Sequence, residues 1–421
     1  MTKVYKFGGA SVRDAASIRN MSEIIRLNNS DHLVVVVSAM GKTTNLLESN
    51  LKAARNENES FPVVFQQLVD FHINICNELF NDPHHSIYQL VNDIFEILRA
   101  KLKSKSQYDS FDEHYDACIS YGELLSTHIL GAFLTMDGHD FQLIDAREYI
   151  RTDDNFRQAN VDWVTTGNNI CTLTNTILPS KHILTQGFIG SGPNRKTTTL
   201  GREGSDYTAA IFASCLNADE VVIWKDVPGL LNADPKRFPE TMKLDVISYK
   251  EALELTYYGA TIIHPNTIKP LLIKNIPLKI KSFIHPELPA SVICDITDND
   301  ILIPSFILKE NQVLLSMSPR DFSFMNESNL SHIFEVLADI KMNINVLQTS
   351  AISLSVCTDF HQEKIEMLIE KLSREYKILI NYNLTLLTIR HYKNALIPEF
   401  VATKKTLLEQ RSRATLQLVL E

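Results

Sequence analysis

The chain has 421 residues, 44% of them hydrophobic, and its 50 acidic against 41 basic side chains give a formal net charge of −9. That length predicts two to three domains with enough apolar content for buried cores. The negative balance argues against a general binder of nucleic acid or anionic membrane, because no basic field draws in a phosphate polymer; any phosphate site must be local. The six cysteines (Cys76, Cys118, Cys171, Cys215, Cys294 and Cys357) are widely spaced, with no C-x-x-C pair. They read as small buried hydrophobes of a reducing compartment, not as a disulfide frame or a zinc site. Apolar runs such as Leu33–Val37 are far too short to span a bilayer, and the start lacks the apolar core of a secretion signal, so a cytosolic chain is expected.

Strand-like and helical patterns alternate through about residue 300, which predicts an α/β domain with a mostly parallel sheet. Strands are expected at Lys3–Phe7, Leu33–Val37, Phe141–Asp145, Ile183–Ile189, Glu220–Trp224 and Leu278–Ser282. Helices are expected at Asn45–Ala53, Val63–Leu79, His85–Ser104 and Ile119–Met136, so that 45–136 forms a mostly helical layer over one sheet edge. The pattern shortens after Asn299–Pro304. Strand Gln312–Met317, helix Leu330–Lys341, strands Asn343–Thr349 and Ile352–Cys357, helix Gln362–Glu375 and strand Ile378–Tyr382 follow. That β-α-β-β-α-β order is the ferredoxin-like arrangement. Strand Leu384–Arg390, helix Pro398–Gln410 and strand Thr415–Leu420 are too few for a second complete copy. The expected domains are therefore 1–298, 305–383 and an incomplete unit at 384–421.

The first strand runs through Val4-Tyr5-Lys6-Phe7 into Gly8-Gly9-Ala10-Ser11-Val12. Alternation puts Val4 and Lys6 on one face, so the ammonium projects where the strand stops. Gly8 and Gly9 lack Cβ atoms, and their N–H groups can approach and nest an anion. A cation beside exposed donors is what a transferring phosphoryl group needs; a surface lysine before a tight turn is the plainer alternative. In Thr197-Thr198-Thr199-Leu200-Gly201-Arg202-Glu203-Gly204-Ser205-Asp206, a helix is expected to begin at Ser205 or Asp206, with N–H groups suited to an anion. Arg202 adds a planar fork matched to a carboxylate, against the alternative of an ordinary N-cap with a surface arginine. Lys225-Asp226-Val227-Pro228-Gly229 places a cation and an anion at a parallel strand's end, where open α/β sheets hold ligands.

Gly41-Lys42-Thr43 is not a P-loop, because Val36 stands where the pattern needs its first glycine. Ser38 and Thr44 remain as hydroxyl donors at a strand-to-helix junction. A complete G-x-G-x-x-G is absent as well, which argues against a nicotinamide dehydrogenase. Glu123 falls near the start of an apolar helix, where a carboxylate often just answers the helix dipole. His264-Pro265 has no accompanying nucleophile motif and reads as a capping or packing pair.

Together these segments resemble the aspartate kinase family, of the amino-acid kinase fold. Lys6-Phe7-Gly8-Gly9-Ala10-Ser11-Val12 is similar to that family's Lys-Phe-Gly-Gly-Thr-Ser-Val, with Ala10 in place of threonine. Thr185-Gln186-Gly187-Phe188-Ile189-Gly190, the segment through Asp206, Asp226-Val227-Pro228-Gly229 and Ile263-His264-Pro265 follow in family order. The resemblance covers nearly the whole chain. It implies an αβα sandwich followed by an ACT module and part of a second, which in this family bind feedback amino acids and join subunits, with a homodimer or higher homo-oligomer expected. It also implies ATP-dependent phosphorylation of the side-chain carboxylate of L-aspartate to 4-phospho-L-aspartate, the first step toward lysine, threonine and methionine. Mg2+ would enter mostly on the nucleotide phosphates, with protein ligands unassigned.

Carried over residue by residue, the resemblance gives Lys6, with Gly8 and Gly9, the transferred phosphoryl group, and Asp206 the orientation of Lys6. It gives Arg202 the substrate α-carboxylate and Glu123 its α-amino group, with Ser38, Thr44, Phe188 and Ser205 lining the aspartate pocket. Lys225, Asp226, Leu231, Lys236 and Thr261 fall on the nucleotide side, where the chain departs from the pattern. Lys225 stands for a threonine, Leu231 for a tyrosine, Lys236 for an arginine and Thr261 for a lysine. Lys225 is expected to supply the cation missing at 261. The neighbouring readings are a glutamate 5-kinase or acetylglutamate kinase of the same fold, and a catalytically inactive amino-acid sensor. Arg202 with Glu123 suits a free α-amino acid better than an N-acylated one. No fused dehydrogenase is expected beyond Glu421.

Overall fold

The computed structural model describes residues 1–27, 31–260, 263–394, 401 and 403–421. They fall into two compact units, one of Met1–Leu230, Asp245–Ala252 and Ile262–Thr297, the other of Leu231–Leu244, Leu253–Thr261 and Asp298–Glu421. Two short segments thus group with the carboxyl-terminal part, where the sequence suggests a single cut near 298.

The first unit is built on one sheet of eight strands: β1 (Thr2–Phe7), β2 (His32–Val37), β3 (Phe141–Ile144), β4 (His182–Gln186), β5 (Glu220–Lys225), β6 (Val246–Ser248), β7 (Leu278–Ser282) and β8 (Ser291–Cys294). Their order is β6-β8-β7-β5-β1-β2-β4-β3, and every pair is parallel except β7 with β8. The central strands are β-branched and buried on both faces, as Leu33–Val37 and Val221–Ile223 show. Lys6 lies in register with Val36 on one side and Ile223 on the other. The residues after β1, β2 and β5 therefore leave the sheet level with one another, at its carboxyl edge. The strand order turns at β1, the position where open α/β sheets leave a ligand crevice.

Helices Thr43–Arg55, Phe61–Leu79, Ser86–Lys103, Phe111–Ile119 and Tyr121–Met136 make up the expected helical layer. The helix expected at Ile119–Met136 runs from Tyr121 to Met136, and the helix Phe111–Ile119 before it, which meets it at Ser120, is not among the expected ones. By length and composition Phe111–Met136 could cross a bilayer, but most of its apolar window is buried inside the protein. The strand expected to reach Ile189 stops at Gln186. There Gly187 and Phe188 (φ +69°) turn the chain into a hairpin of Ile189–Ser191 with Thr197–Thr199.

The second unit carries a six-stranded antiparallel sheet: β9 (Ser305–Pro319), β10 (Val346–Thr349), β11 (Leu354–Asp359), β12 (Tyr376–Arg390), β13 (Thr406–Arg411) and β14 (Thr415–Leu420), in the order β10-β11-β9-β12-β14-β13. With helices Glu327–Asp339 and Gln362–Leu372, β9 to β12 have the ferredoxin-like chain order and sheet order. Val313, Leu315, Ile333, Val356 and Leu368 form the core between sheet and helices. The two strands expected at Ile378–Tyr382 and Leu384–Arg390 are one. Asn383 (φ +59°) and Asn311 (φ +54°) take the left-handed conformation, and the register slips there without ending either strand. The helix expected at Pro398–Gln410 is corrected in its second half. Thr406–Arg411 pairs with β14 and buries Leu408 against Leu386 and Val419, so cross-strand packing overrides helix propensity. Residues 398–400 and 402 of that helix lie outside the described residues.

Gly187 is held by space alone. A Cβ there would lie 2.4 Å from Ser205 Cβ and 2.8 Å from Ser205 Cα, the start of a helix that cannot swing aside. Gly187→Ala is expected to lower stability by about 1–3 kcal/mol, read as a lower urea midpoint; an unchanged midpoint would show that the helix start yields.

Candidate active site

β1 delivers Lys6 to the face on which helix Gly204–Leu216 packs. Lys6 Nζ lies 2.6 Å from Asp206 Oδ1, and Lys225 Nζ, from the end of β5, lies 3.8 Å from Asp206 Oδ2. Asp206 is 3% exposed, so a buried carboxylate draws two ammonium groups to one spot and leaves a net positive charge there. A Cβ on Gly8 would stand 3.3 Å from Lys6 Nζ, so the glycine leaves the amine open. A Cβ on Gly9 would meet the carbonyl oxygens of Ala39 and Gly41 at 2.9 Å each, and Gly41 N–H donates to the Gly9 carbonyl at 3.0 Å. The loop after β2, which carries Ser38, is thereby pinned against the loop after β1.

The helix that carries Asp206 starts from Glu203 in the left-handed region (φ +53°), whose carboxylate accepts the His264 N–H at 2.8 Å. Ser205 is buried in its first turn, and Arg202 just ahead of it is exposed, with no carboxylate paired to it among the described residues. Phe188 is fixed by its N–H donating to Thr208 Oγ1 at 2.9 Å and by its carbonyl accepting from Leu200 N–H.

Glu123 occupies the first turn of Tyr121–Met136, yet it is buried rather than answering the dipole at the surface. Its Oε1 accepts the Ala39 N–H at 3.3 Å, whereas Oε2 is buried with no hydrogen-bond partner. Burial pushes its carboxyl up to about 8, against the pull of the Ala39 N–H and of Lys6. An unpaired buried carboxylate oxygen is a fitting seat for an incoming ammonium group.

These groups share one cleft of about 880 Å³. Its walls bring together Lys6, Gly8, Gly9, Lys225 and Asp226 with Ser38, Thr44, Glu123, Phe188, Arg202, Ser205 and Asp206. Leu231 and Lys236 belong to the second unit, and Thr261 lies outside the described residues.

One wall escaped the sequence reading. Asp116 Oδ1 accepts the Thr199 hydroxyl at 2.7 Å, while Oδ2 accepts the N–H groups of Thr199 at 2.8 Å and Arg157 at 2.9 Å. Burial pushes Asp116 up to about 6, although these bonds oppose the shift. The Arg157 guanidinium lies 4.4 Å from the Tyr115 ring centroid and 3.2 Å from Asp112. Helix Phe111–Ile119 is thereby tied to the hairpin and to the loop at the cleft mouth. The available signal was a carboxylate within an apolar helical face, beside Cys118 and Ile119.

The Glu123 carboxyl links stability to pH. Below about pH 4.5 it is protonated in both folded and unfolded chains. As pH rises toward 8 the unfolded chain gives up the proton first, so the folded state binds more protons and its advantage is progressively lost. Without ligands, Glu123→Gln is expected to flatten that part of the decline, so wild type loses stability relative to the variant between pH 5 and 8 in urea titrations. Parallel profiles for the two proteins would contradict the assignment.

The chain is similar to known proteins in sequence and in fold. The sequence profile of the amino acid kinase family matches residues 1–282. Lysine-sensitive aspartokinase 3 of Escherichia coli (strain K12) is 31% identical over 358 residues, 85% of this chain and 78% of that protein. The chloroplastic bifunctional aspartokinase/homoserine dehydrogenase 2 of Arabidopsis thaliana is 29% identical over 388 residues; the match takes in 89% of this chain and 42% of that longer protein. The crystal structure of E. coli aspartokinase III with aspartate and ADP aligns with a TM-score of 0.82 at 26% identity, covering 100% of this chain and 96% of that one. Its complex with lysine and aspartate aligns at 0.81, also at 26% identity, covering 99% and 95%. In sequence and in fold, the chain belongs to the amino acid kinase family, in its aspartokinase branch.

Proposed function

We propose that the chain transfers the γ-phosphoryl group of ATP to the side-chain carboxylate of L-aspartate, giving 4-phospho-L-aspartate and ADP. The observation that carries this reading is one cleft holding Lys6, Arg202 and Glu123 together. A carboxylate nucleophile is already ionised near neutral pH, so no strong base is needed. The difficulty is to bring two anions into contact, which makes positioning and charge neutralisation the main tasks.

Arg202 takes the α-carboxylate through its fork, and Glu123 takes the α-ammonium on its unpaired Oε2. Ser38, Thr44, Phe188 and Ser205 line the remaining pocket and direct the side-chain carboxylate toward the cationic end. There Lys6 and Lys225, held on Asp206, meet the charge that spreads over the phosphoryl oxygens, with N–H groups of Gly8 and Gly9 beside them. Asp226, on the wall of the same cleft, is assigned to the nucleotide side. Among the described residues no cluster of three or more His, Cys, Asp or Glu side chains could hold a metal. Mg2+ would arrive on the ATP phosphates, where it would neutralise their charge and need few protein ligands.

The second unit, with its ferredoxin-like order, is proposed to bind an amino-acid effector and to join subunits as a homodimer or higher oligomer. Lysine is the first effector to try, since the aligned E. coli enzyme was crystallised with it.

Three substrates separate this reading from its neighbours. ADP release is expected with L-aspartate and at least about a hundredfold less with L-glutamate or N-acetyl-L-glutamate; preferred turnover of either would overturn the assignment. Arg202→Ala should raise the KM for aspartate by about tenfold or more while leaving the KM for ATP nearly unchanged. Lys225→Thr is expected to raise the KM for ATP and lower kcat, and unchanged values for both would remove Lys225 from the nucleotide side.

A further inference from the structure

On the opposite face of the sheet from Lys6 lies a second pocket of about 450 Å³. Successive strand residues point to opposite faces, so this face carries Lys3 and Tyr5 of β1, Val222 and Trp224 of β5, and Lys279 and Lys281 of β7. Tyr5 lies in register with Val222, and Trp224 with Lys281. Pro286 and Pro289 complete an apolar wall.

The charges here do not balance. Lys3 Nζ lies 3.3 Å from Glu220 Oε1, and Lys279 pairs with Oε2 of the same carboxylate. Lys281 has no ion pair among the described residues; its Nζ lies 5.1 Å from the Trp224 ring centroid. Three ammonium groups thus face one carboxylate in a chain of net charge −9. The other acid whose charge reaches Lys281, Glu287, lies 3.4 Å from His285. Burial, then repulsion by Lys279, holds Lys281 below the usual lysine range, with Glu220 and Glu287 opposing the shift.

A second observation is independent of charge. Tyr5 lines this pocket, and its hydroxyl, which is not shut off from solvent, makes no hydrogen bond among the described residues. Burial pushes the phenol up to about 12, so it remains an O–H donor near neutral pH. A pocket with an unused hydroxyl donor beside an unpaired cation is complementary to an anion.

We propose that this pocket binds a small organic anion, its acidic group held by Lys281 and the Tyr5 hydroxyl and its apolar body against Pro286 and Pro289. Tyr5 precedes Lys6 and Trp224 precedes Lys225, so the ligand would sit one residue away, through the sheet, from both cations of the cleft. The inference does not depend on the identity of the phosphoryl acceptor.

Trp224 is one of only two tryptophans in the chain, the other being Trp163, and it serves as the reporter. In the full chain carrying Trp163→Phe, titration with phenyl phosphate and with benzoate is expected to give a saturable change in Trp224 fluorescence with at least one of them. Inorganic phosphate, lacking the apolar body, should bind more weakly. Which organic probe binds more tightly tells a phosphate ligand from a carboxylate. Lys281→Met and Tyr5→Phe should each weaken binding, Lys281→Met by about tenfold or more, whereas Lys6→Met should leave it intact. The proposal is overturned if neither organic probe saturates. It is equally overturned if both pocket variants bind as the parent does, or if Lys6→Met alone abolishes the signal.

Discussion

The Asp206 carboxylate, almost wholly buried and set against Lys6 and Lys225, is the contact on which the rest of this site depends. A carboxylate in that position is costly to desolvate and is tolerated because two cations answer it. Its geometry comes from three elements at once: β1 brings Lys6, β5 brings Lys225, and the first turn of the helix after Glu203 brings Asp206. None could slip by one residue without turning its charged group to the wrong face of the sheet or helix. The ion pairs thus fix, before any ligand arrives, the spot at which the proposed phosphoryl transfer would take place.

Glu123, on the wall of the same cleft, works by the reverse principle. Glu123 is buried with one oxygen unpaired, so the empty protein holds an incomplete polar site. In water such a carboxylate would be solvated and weakly selective. Inside the helical layer it favours a ligand that brings its own positive charge, and Arg202 at the rim favours one that also brings a negative charge. A zwitterion satisfies both, which is why the pair is proposed as an amino-acid seat. Close backbone approach at Gly9 and Gly187 pins the segments that line the cleft, because at each position a methyl group would already collide.

Much of this was legible in the sequence where local pattern and tertiary role agree. The buried strands around Lys6 announce themselves by β-branched runs, and Gly8-Gly9 and Arg202 through Asp206 carry their chemistry in contiguous residues. Asp116 was silent, because its partners Thr199 and Arg157 are far off in sequence and only the fold brings them together. Glu123 was ambiguous for a different reason: first-turn carboxylates are common, and only its depth of burial separates a receptor from a dipole partner. In the second unit, Asn383 reads as a strand terminator, yet one left-handed residue can be absorbed as a register slip. Thr406–Arg411 has a composition that also suits a helix; pairing with β14 decides the matter, and no local window contains that partner.

Alternation along β1 and β5 explains why two chemically different pockets lie back to back. Lys6 faces the cleft while Tyr5 faces the other pocket; Lys225 is paired with Asp206 while Trp224 is buried against Tyr5 and Phe7. On the cleft side, cations are held by a buried acid and can only be shared with a second anion. Behind the sheet, Glu220 already holds two lysines, so Lys281 is left to an aromatic face, a weaker partner than a carboxylate. A backbone shift at Trp224 is passed to Lys225, because the two are consecutive on one strand paired on both sides. The physical route between the pockets is therefore short: a single peptide unit in each of two adjacent strands.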